Sequence, residues 1–273
     1  MPQIPFQELI CLNIRERASC LNNIAKNIHL DRDEPDEVLR SSRKMKQVID
    51  LYLDEYFEWE LSKHVELINN IPEKELFIQK VFDIAESYIV NMQRKIDESN
   101  GPFKNLFGVS GANILAGMQT RTRIITENLG HNFEKMACVS PTCLSPEDFF
   151  GVKLVGVDII TRVRGIGNLF IQLKTAEDTL TGSQAPRARK ELEIYDNPYF
   201  AAAIKLNHTW TIGGINTISN HGITRIRGQE FWSLINIPYE IILSAVSMMM
   251  VDIEEYVLNI EDSDTDQQIS LDI

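Results

Sequence analysis

The 273-residue, 31.2 kDa chain is 44% hydrophobic and 24% charged, a composition that builds a sizeable core in one large domain or two closely packed lobes. Its formal charge of −12, from 27 Lys/Arg against 39 Asp/Glu, argues against a protein that coats nucleic acid through a wholly basic surface. The longest apolar run, near "IILSAVSMMMV" (241–251), is too short for a bilayer, and "MPQIPFQELI" lacks the basic start and apolar block of a signal peptide.

In chain order, the first hundred residues read as helices. "DRDEPDEVLRSSRKMKQVIDLYLDEYFEWELSKHVELI" (31–68) opens with Pro35 among acids, which suits a helix start because proline has no N–H to leave unpaired. Val48, Leu51, Phe57 and Leu61 then recur at helical spacing. "EKELFIQKVFDIAESYIVNMQRKI" (73–96) repeats the pattern through Leu76, Val81, Ile84 and Ile89. "ESNGPFKN" (98–105) is a turn signal and marks a boundary. A third helix is expected over 118–137, with Ile125, Leu129, Phe133 and Met136 as its buried stripe. The loop "VSPTCLSPEDF" (139–149) leads to two strands, 152–163 and 167–174, joined by "RGIG". A helix near 184–196, strands at "YFAAAIKL" and "TWTIGGI", a loop over 216–228 and a closing helical section follow. Within that section, 238–258 is apolar almost all round and needs burial in the core or against a partner subunit.

This order predicts an α/β (α+β) fold with a central mixed sheet flanked by helices and an N-terminal helical lobe. The expected segments are a lobe over 1–100, available for dimerisation, a core over 101–258, and an acidic, solvated tail over 259–273. The four cysteines make no zinc-ligand spacing and read as reduced thiols of a cytoplasmic protein.

Charge is unevenly placed. Residues 251–273 hold eight Asp/Glu and no Lys or Arg, whereas 151–228 carry ten Lys/Arg against six acids, a net of +4. A basic segment inside an acidic chain suits a confined anionic ligand, although chance clustering would look the same.

Within that segment two apolar runs keep polar residues. Asp158 sits in "LVGVDII", and Gln172 and Lys174 sit in "LFIQLKT". Side chains alternate along a strand, so Gln172 and Lys174 share a face, and a tight hairpin sets Asp158 beside them. A carboxylate and an ammonium taken out of water must either pair with each other as a structural element or serve a metal.

"GVDII…FIQLK" resembles the core of the PD-(D/E)xK nuclease superfamily, with Asp158 as the Asp and Gln172-Leu173-Lys174 as the (E/Q)xK element. "LGHNFEKMA" (129–137) is similar to the helix before the catalytic strands. "GGINTISNHGITRIRGQEFWSLIN" (213–236) resembles the C-terminal stretch of orthodox type II restriction endonucleases that cut interrupted GG…CC palindromes. The likeness covers roughly 100–236.

It implies a restriction-endonuclease-like core and Mg²⁺-dependent hydrolysis of double-stranded DNA that leaves 5′-phosphates, by a homodimer in a prokaryotic cytoplasm. Asp158 would bind the ion, with the Leu173 carbonyl as another ligand. The ion would polarise the phosphoryl oxygen and lower the pKa of bound water. Lys174 would orient or help deprotonate that water and stabilise the charge gathering on phosphorus.

Gln172 departs from the usual acid. A neutral carboxamide binds metal more weakly, so affinity falls or a nearby acid compensates. Glu134, one position past Phe133, is the first candidate, against its alternative as an ordinary solvated helix glutamate; Glu177 and Asp178 are further options.

Three stretches read as DNA contacts. "SQAPRARKE" places Ser183, Gln184, Arg187, Arg189 and Lys190 at the start of a helix, where phosphate binds and Arg can pair with guanine, unless this is a solvated basic face. "NTISNHGITRIR" offers Asn216, Asn220, His221, Arg225 and Arg227 for base edges, unless it is a plain surface turn. Arg162 and Arg164, in "RVRGIG", would touch backbone phosphate or simply close a hairpin. A palindromic target requires two copies about a two-fold axis.

Three other functions fit the same residues. They are a DNA-binding protein on a nuclease-like fold that does not cut, a structure-selective nuclease, and a helical scaffold in which Asp158 and Lys174 form a structural pair.

Overall fold

The computed structural model describes residues 4–30, 34–68, 73–99, 109–214 and 222–271. Among these residues nine helices and five strands form: α1 (Phe6–Cys11), α2 (Ile14–Lys26), α3 (Glu37–Ile68), α4 (Glu73–Glu98), α5 (Asn113–Ala137), β1 (Cys143–Leu144), α6 (Pro146–Phe150), β2 (Ile159–Val163), β3 (Gly167–Lys174), α7 (Gln184–Leu192), β4 (Pro198–Ala202), β5 (Thr224–Arg227), α8 (Gln229–Leu234) and α9 (Tyr239–Leu271). The five strands make one mixed sheet in sequence order, so the expected α/β class with helices around a central sheet holds. β1, β2 and β3 are antiparallel neighbours, while β3, β4 and β5 run parallel.

Two compact units divide the chain differently from the expected segments. One comprises residues 1–76 and 137–238, and the other comprises 77–136 and 239–273. Helices α1, α2 and α3 fall in the first unit with the sheet, and α4 from Phe77 on falls in the second. In the first unit, Phe6 and Leu9 of α1, Leu21 of α2 and Val48, Tyr52 and Phe57 of α3 join Ile160 and Phe170 of the sheet in one core cluster. The amphipathic pattern of α3 packs toward the sheet, although only part of the expected stripe is buried: Val48 and Phe57 are, Leu51 and Leu61 are not. The start of α3 is set by Asp36, whose Oδ1 accepts from the N–H groups of Val38 and Leu39, and not by Pro35. On β4, Phe200 packs with Ala188 and Leu192 of α7 and with Ile212 and Ile223.

In the second unit, Tyr88 of α4 donates to the Ile125 carbonyl of α5 at 2.8 Å, and Asn132 of α5 donates to the Met249 sulfur of α9 at 3.3 Å. Helix α9 runs on to Leu271 and takes in most of the acidic segment expected as a mobile tail. It buries Ile242, Ala245, Met249 and Ile253 and leaves Leu243, Val251 and Leu258 exposed. Among the described residues no helix is long and apolar enough to cross a membrane.

Three strand expectations change. Residues 152–158 are not part of β2: Gly156 turns the chain at φ +73, with a Cβ there placed 2.8 Å from Glu191. The turn is held by Ser42, which accepts from the Val155 N–H, and by Tyr195, whose hydroxyl donates to the Val155 carbonyl. "TWTIGGI" forms no strand over its described residues 209–214, and the strand beside β4 is β5, inside the stretch expected as a loop.

Candidate active site

Asp158 stands immediately before β2, where the ladder with β3 ends. Its N–H donates to the Ile171 carbonyl at 2.9 Å, and its Oδ2 accepts from the Leu173 N–H at 2.8 Å. The carboxylate thus takes the place of the next backbone acceptor. This explains why an acid is tolerated at the edge of a buried strand. The same oxygen lies 3.7 Å from the Lys174 ammonium, and both side chains keep about a quarter of their surface in solvent, 24% for Asp158 and 28% for Lys174. Asp158 Oδ1 accepts no hydrogen bond among the described residues.

Gln172 lies on the same face of β3 as Lys174 and is 8% exposed. Its Oε1 is buried without a hydrogen-bond partner among the described residues. Buried polar atoms are nearly always paired, so an orphaned carboxamide oxygen two residues from Lys174 marks a position that fits an outside donor or a cation. The Leu173 carbonyl lies along the same strand edge as its N–H, the edge that meets Asp158. Asp158 thus meets Lys174 and the Leu173 N–H, Gln172 shares the face of Lys174, and the oxygens of Asp158, Gln172 and Leu173 are hard donors of the kind that suits Mg²⁺.

Each of the expected compensating acids has a partner of its own. Glu134 pairs with His131 at 3.1 Å on its own helix α5, within the second compact unit. Glu177 is fully buried and accepts from the N–H groups of Leu206 and Asn207 at 3.1 and 3.2 Å and from Arg227 at 2.9 Å. Burial alone would raise its pKa, but hydrogen bonds from its own backbone N–H, Leu206, Arg227 and Asn207 outweigh it and hold the carboxyl below its ordinary value. Asp178 is paired with His208 at 2.6 Å. Among the described residues no group of three or more His, Cys, Asp or Glu side chains is arranged to hold a metal ion.

The basic residues expected to meet DNA are largely engaged with the protein. Arg162 binds Asp54 of α3 and Asn168 of β3 and lies over the Phe57 ring, so it clamps the hairpin to α3. Arg164 is exposed at the hairpin turn. At the start of α7, Ser183 and Gln184 are exposed, and Gln184 Oε1 accepts from the Thr181 N–H. Along that helix Arg187 and Arg189 each pair one turn onward, with Glu191 and Glu193 at 2.7 Å, and Lys190 pairs with Asp36 at 3.1 Å. These are surface pairs, weak enough for a phosphate to displace.

Arg225 donates to the Ile212 carbonyl at 3.1 Å and lies over the Trp210 ring; Arg227 holds Glu177. Both lie on β5 and are tied to the fold, not on an open loop. Asn216, Asn220 and His221 lie outside the described residues.

The buried Glu177–Arg227 pair was the feature missed. Its signal was the period-two alternation of "TRIR" (224–227), which marks a strand whose arginines share a face with Lys174 through the register Lys174–Ala202–Arg227. No protein-family model matches the chain, and a search of curated proteins finds no match either.

Proposed function

We propose that the chain is a Mg²⁺-dependent type II restriction endonuclease. In this reading it hydrolyses phosphodiester bonds of duplex DNA at an interrupted GG…CC-type palindrome, leaves 5′-phosphates and acts as a homodimer in a prokaryotic cytoplasm. The observation that carries it is the meeting of Asp158 and Lys174 at 3.7 Å, with the partnerless oxygen of Gln172 on the same face of β3 as Lys174. Asp158, Gln172 and the Leu173 carbonyl would hold the ion, which supplies Lewis acidity and a water of lowered pKa when bound. Lys174, a mobile point charge with three donors, serves to hold a phosphoryl oxygen and balance the charge that grows on it. The exposed Leu243, Val251 and Leu258 on α9 support a partner surface.

Incubating plasmid with the protein and Mg²⁺ tests this. Discrete fragments whose ends share one sequence are the expected result, and smears or cutting confined to branched DNA would favour a structure-selective nuclease. Duplex binding is expected to weaken steeply with salt, as displacement of counterions by Lys and Arg requires.

A second reading, sequence-specific binding without cleavage, is favoured by the neutral Gln172 and the lack of a three-acid cluster among the described residues. It predicts retarded but uncut plasmid. Gln172→Glu separates the two further. The added charge strengthens the ion site, so cleavage at limiting Mg²⁺ is expected to hold or rise. Complete loss would show that the amide has a different task.

A further inference from the structure

A groove of about 800 Å³ lies within the second compact unit and is lined by side chains of α4 and α5. That volume is the size of a small-molecule site, but such sites are mostly apolar, and most of the side chains lining this one are polar. Asn132 of α5 is 6% exposed, yet its carboxamide nitrogen donates only to the Met249 sulfur, a weak acceptor, and its oxygen accepts from nothing among the described residues. A buried carboxamide so poorly matched within the protein fits a donor from outside. One turn along, Lys135 is exposed and meets no acid among the described residues. Glu134 meets His131 at Nδ1, 3.1 Å away, so Nε2 is left without a partner among them. All three groove residues come from "LGHNFEKMA" (129–137).

The α4 wall is polarised. Asp83 and Arg94 are about three turns apart on one face, a separation of about 16 Å. Arg94 is held by exposed contacts, Glu98 at 2.5 Å and Asn91 at 3.0 Å, which a phosphate displaces. Asp83 accepts from Gln79 at 2.7 Å through Oδ1, and its Oδ2 accepts nothing among the described residues.

We propose that this groove binds a nucleoside monophosphate. A cation at one end of α4 and a carboxylate at the other call for an elongated ligand, anionic at one end and rich in donors at the other. Phosphate, ribose and base in line have that form, whereas phosphate alone fills neither the volume nor the reach to Asp83. Arg94 and Lys135 supply charge for the phosphate. Asn132 Oδ1 accepts from a ribose hydroxyl, and Asp83 accepts from an N–H of the base. Neither Asp158 nor Lys174 enters, so binding here is independent of the nuclease reading.

Equilibrium dialysis of the full chain against labelled AMP, GMP, CMP and UMP tests this, with the matching nucleosides and inorganic phosphate as controls. At least one nucleotide is expected to be retained, about tenfold or more tighter than its nucleoside or inorganic phosphate. Lys135→Glu, at an exposed position, is expected to weaken it about tenfold or more, equal to about 1.4 kcal/mol. Asn132→Leu should do the same, and Lys174→Ala should leave retention unchanged; if Asn132→Leu fails to fold, Lys135→Glu decides. No retention at millimolar nucleotide overturns the site, as does retention untouched by Lys135→Glu or abolished by Lys174→Ala. Inorganic phosphate held as tightly as the nucleotides overturns the ligand class. Duplex retardation lost in Lys135→Glu, with no nucleotide retained, would overturn it in favour of a DNA-binding surface.

Discussion

Replacing Lys174 by alanine is expected to lower plasmid cleavage by about 10²–10⁴-fold, the range associated with losing a positioned proton-transfer or charge-stabilising group. The fold and duplex binding should survive. The ammonium sits 3.7 Å from Asp158, and both side chains are about a quarter exposed. Such a pair contributes about 1 kcal/mol or less. Were the pair a structural element sealed in the core, removing one partner would cost about 3–5 kcal/mol by stranding the other charge. Urea unfolding and gel retardation of the same variant therefore discriminate. A folded, binding, inactive protein supports the nuclease reading. A collapse in stability would instead make Asp158 and Lys174 a structural pair and the chain a scaffold.

The sequence made the centre of this site legible because its chemistry is local. Gln172 and Lys174 share a strand face by alternation, and a hairpin of fixed hand and length returns the chain to Asp158. Residues 152–158 were misread because apolar content alone cannot distinguish a strand from a turn packed under a helix. There Gly156 and the Ser42–Tyr195 contact decide the path.

The arginines are less legible, for a different reason. A basic residue has the same one-dimensional signature whether it faces phosphate or a buried carboxylate. Only the register that places Arg227 in line with Lys174, and the depth of Glu177, shows which partner it has. None of the four cysteines is in a disulfide.

Glu177→Ala is expected to be the most destabilising single change near the site, about 3–5 kcal/mol by urea unfolding. Glu177 is wholly buried and satisfies three donors, so its removal leaves the Leu206 and Asn207 N–H groups and the Arg227 guanidinium without their acceptor. Arg227→Ala should cost less, because the guanidinium is 29% exposed and the carboxylate keeps its two backbone donors.

The pH dependence has a definite sign. The folded-state pKa of Glu177 is lowered, so its contribution is fully present above the unfolded carboxyl value of about 4.3 and is lost as pH falls through the folded value. Glu177→Gln should flatten that acid limb, and comparing urea midpoints at about pH 7 and about pH 3 for the two proteins measures it. The pair also secures the strand ends that carry the site: β4 leaves the sheet where the Ala203 N–H donates to the Lys174 carbonyl at 2.7 Å, and the loop that follows is pinned by Glu177. If Arg227 instead reads bases, Arg227→Ala will leave the urea midpoint unchanged and relax the cut-site sequence. That outcome would return the arginine to the DNA and remove it from the fold.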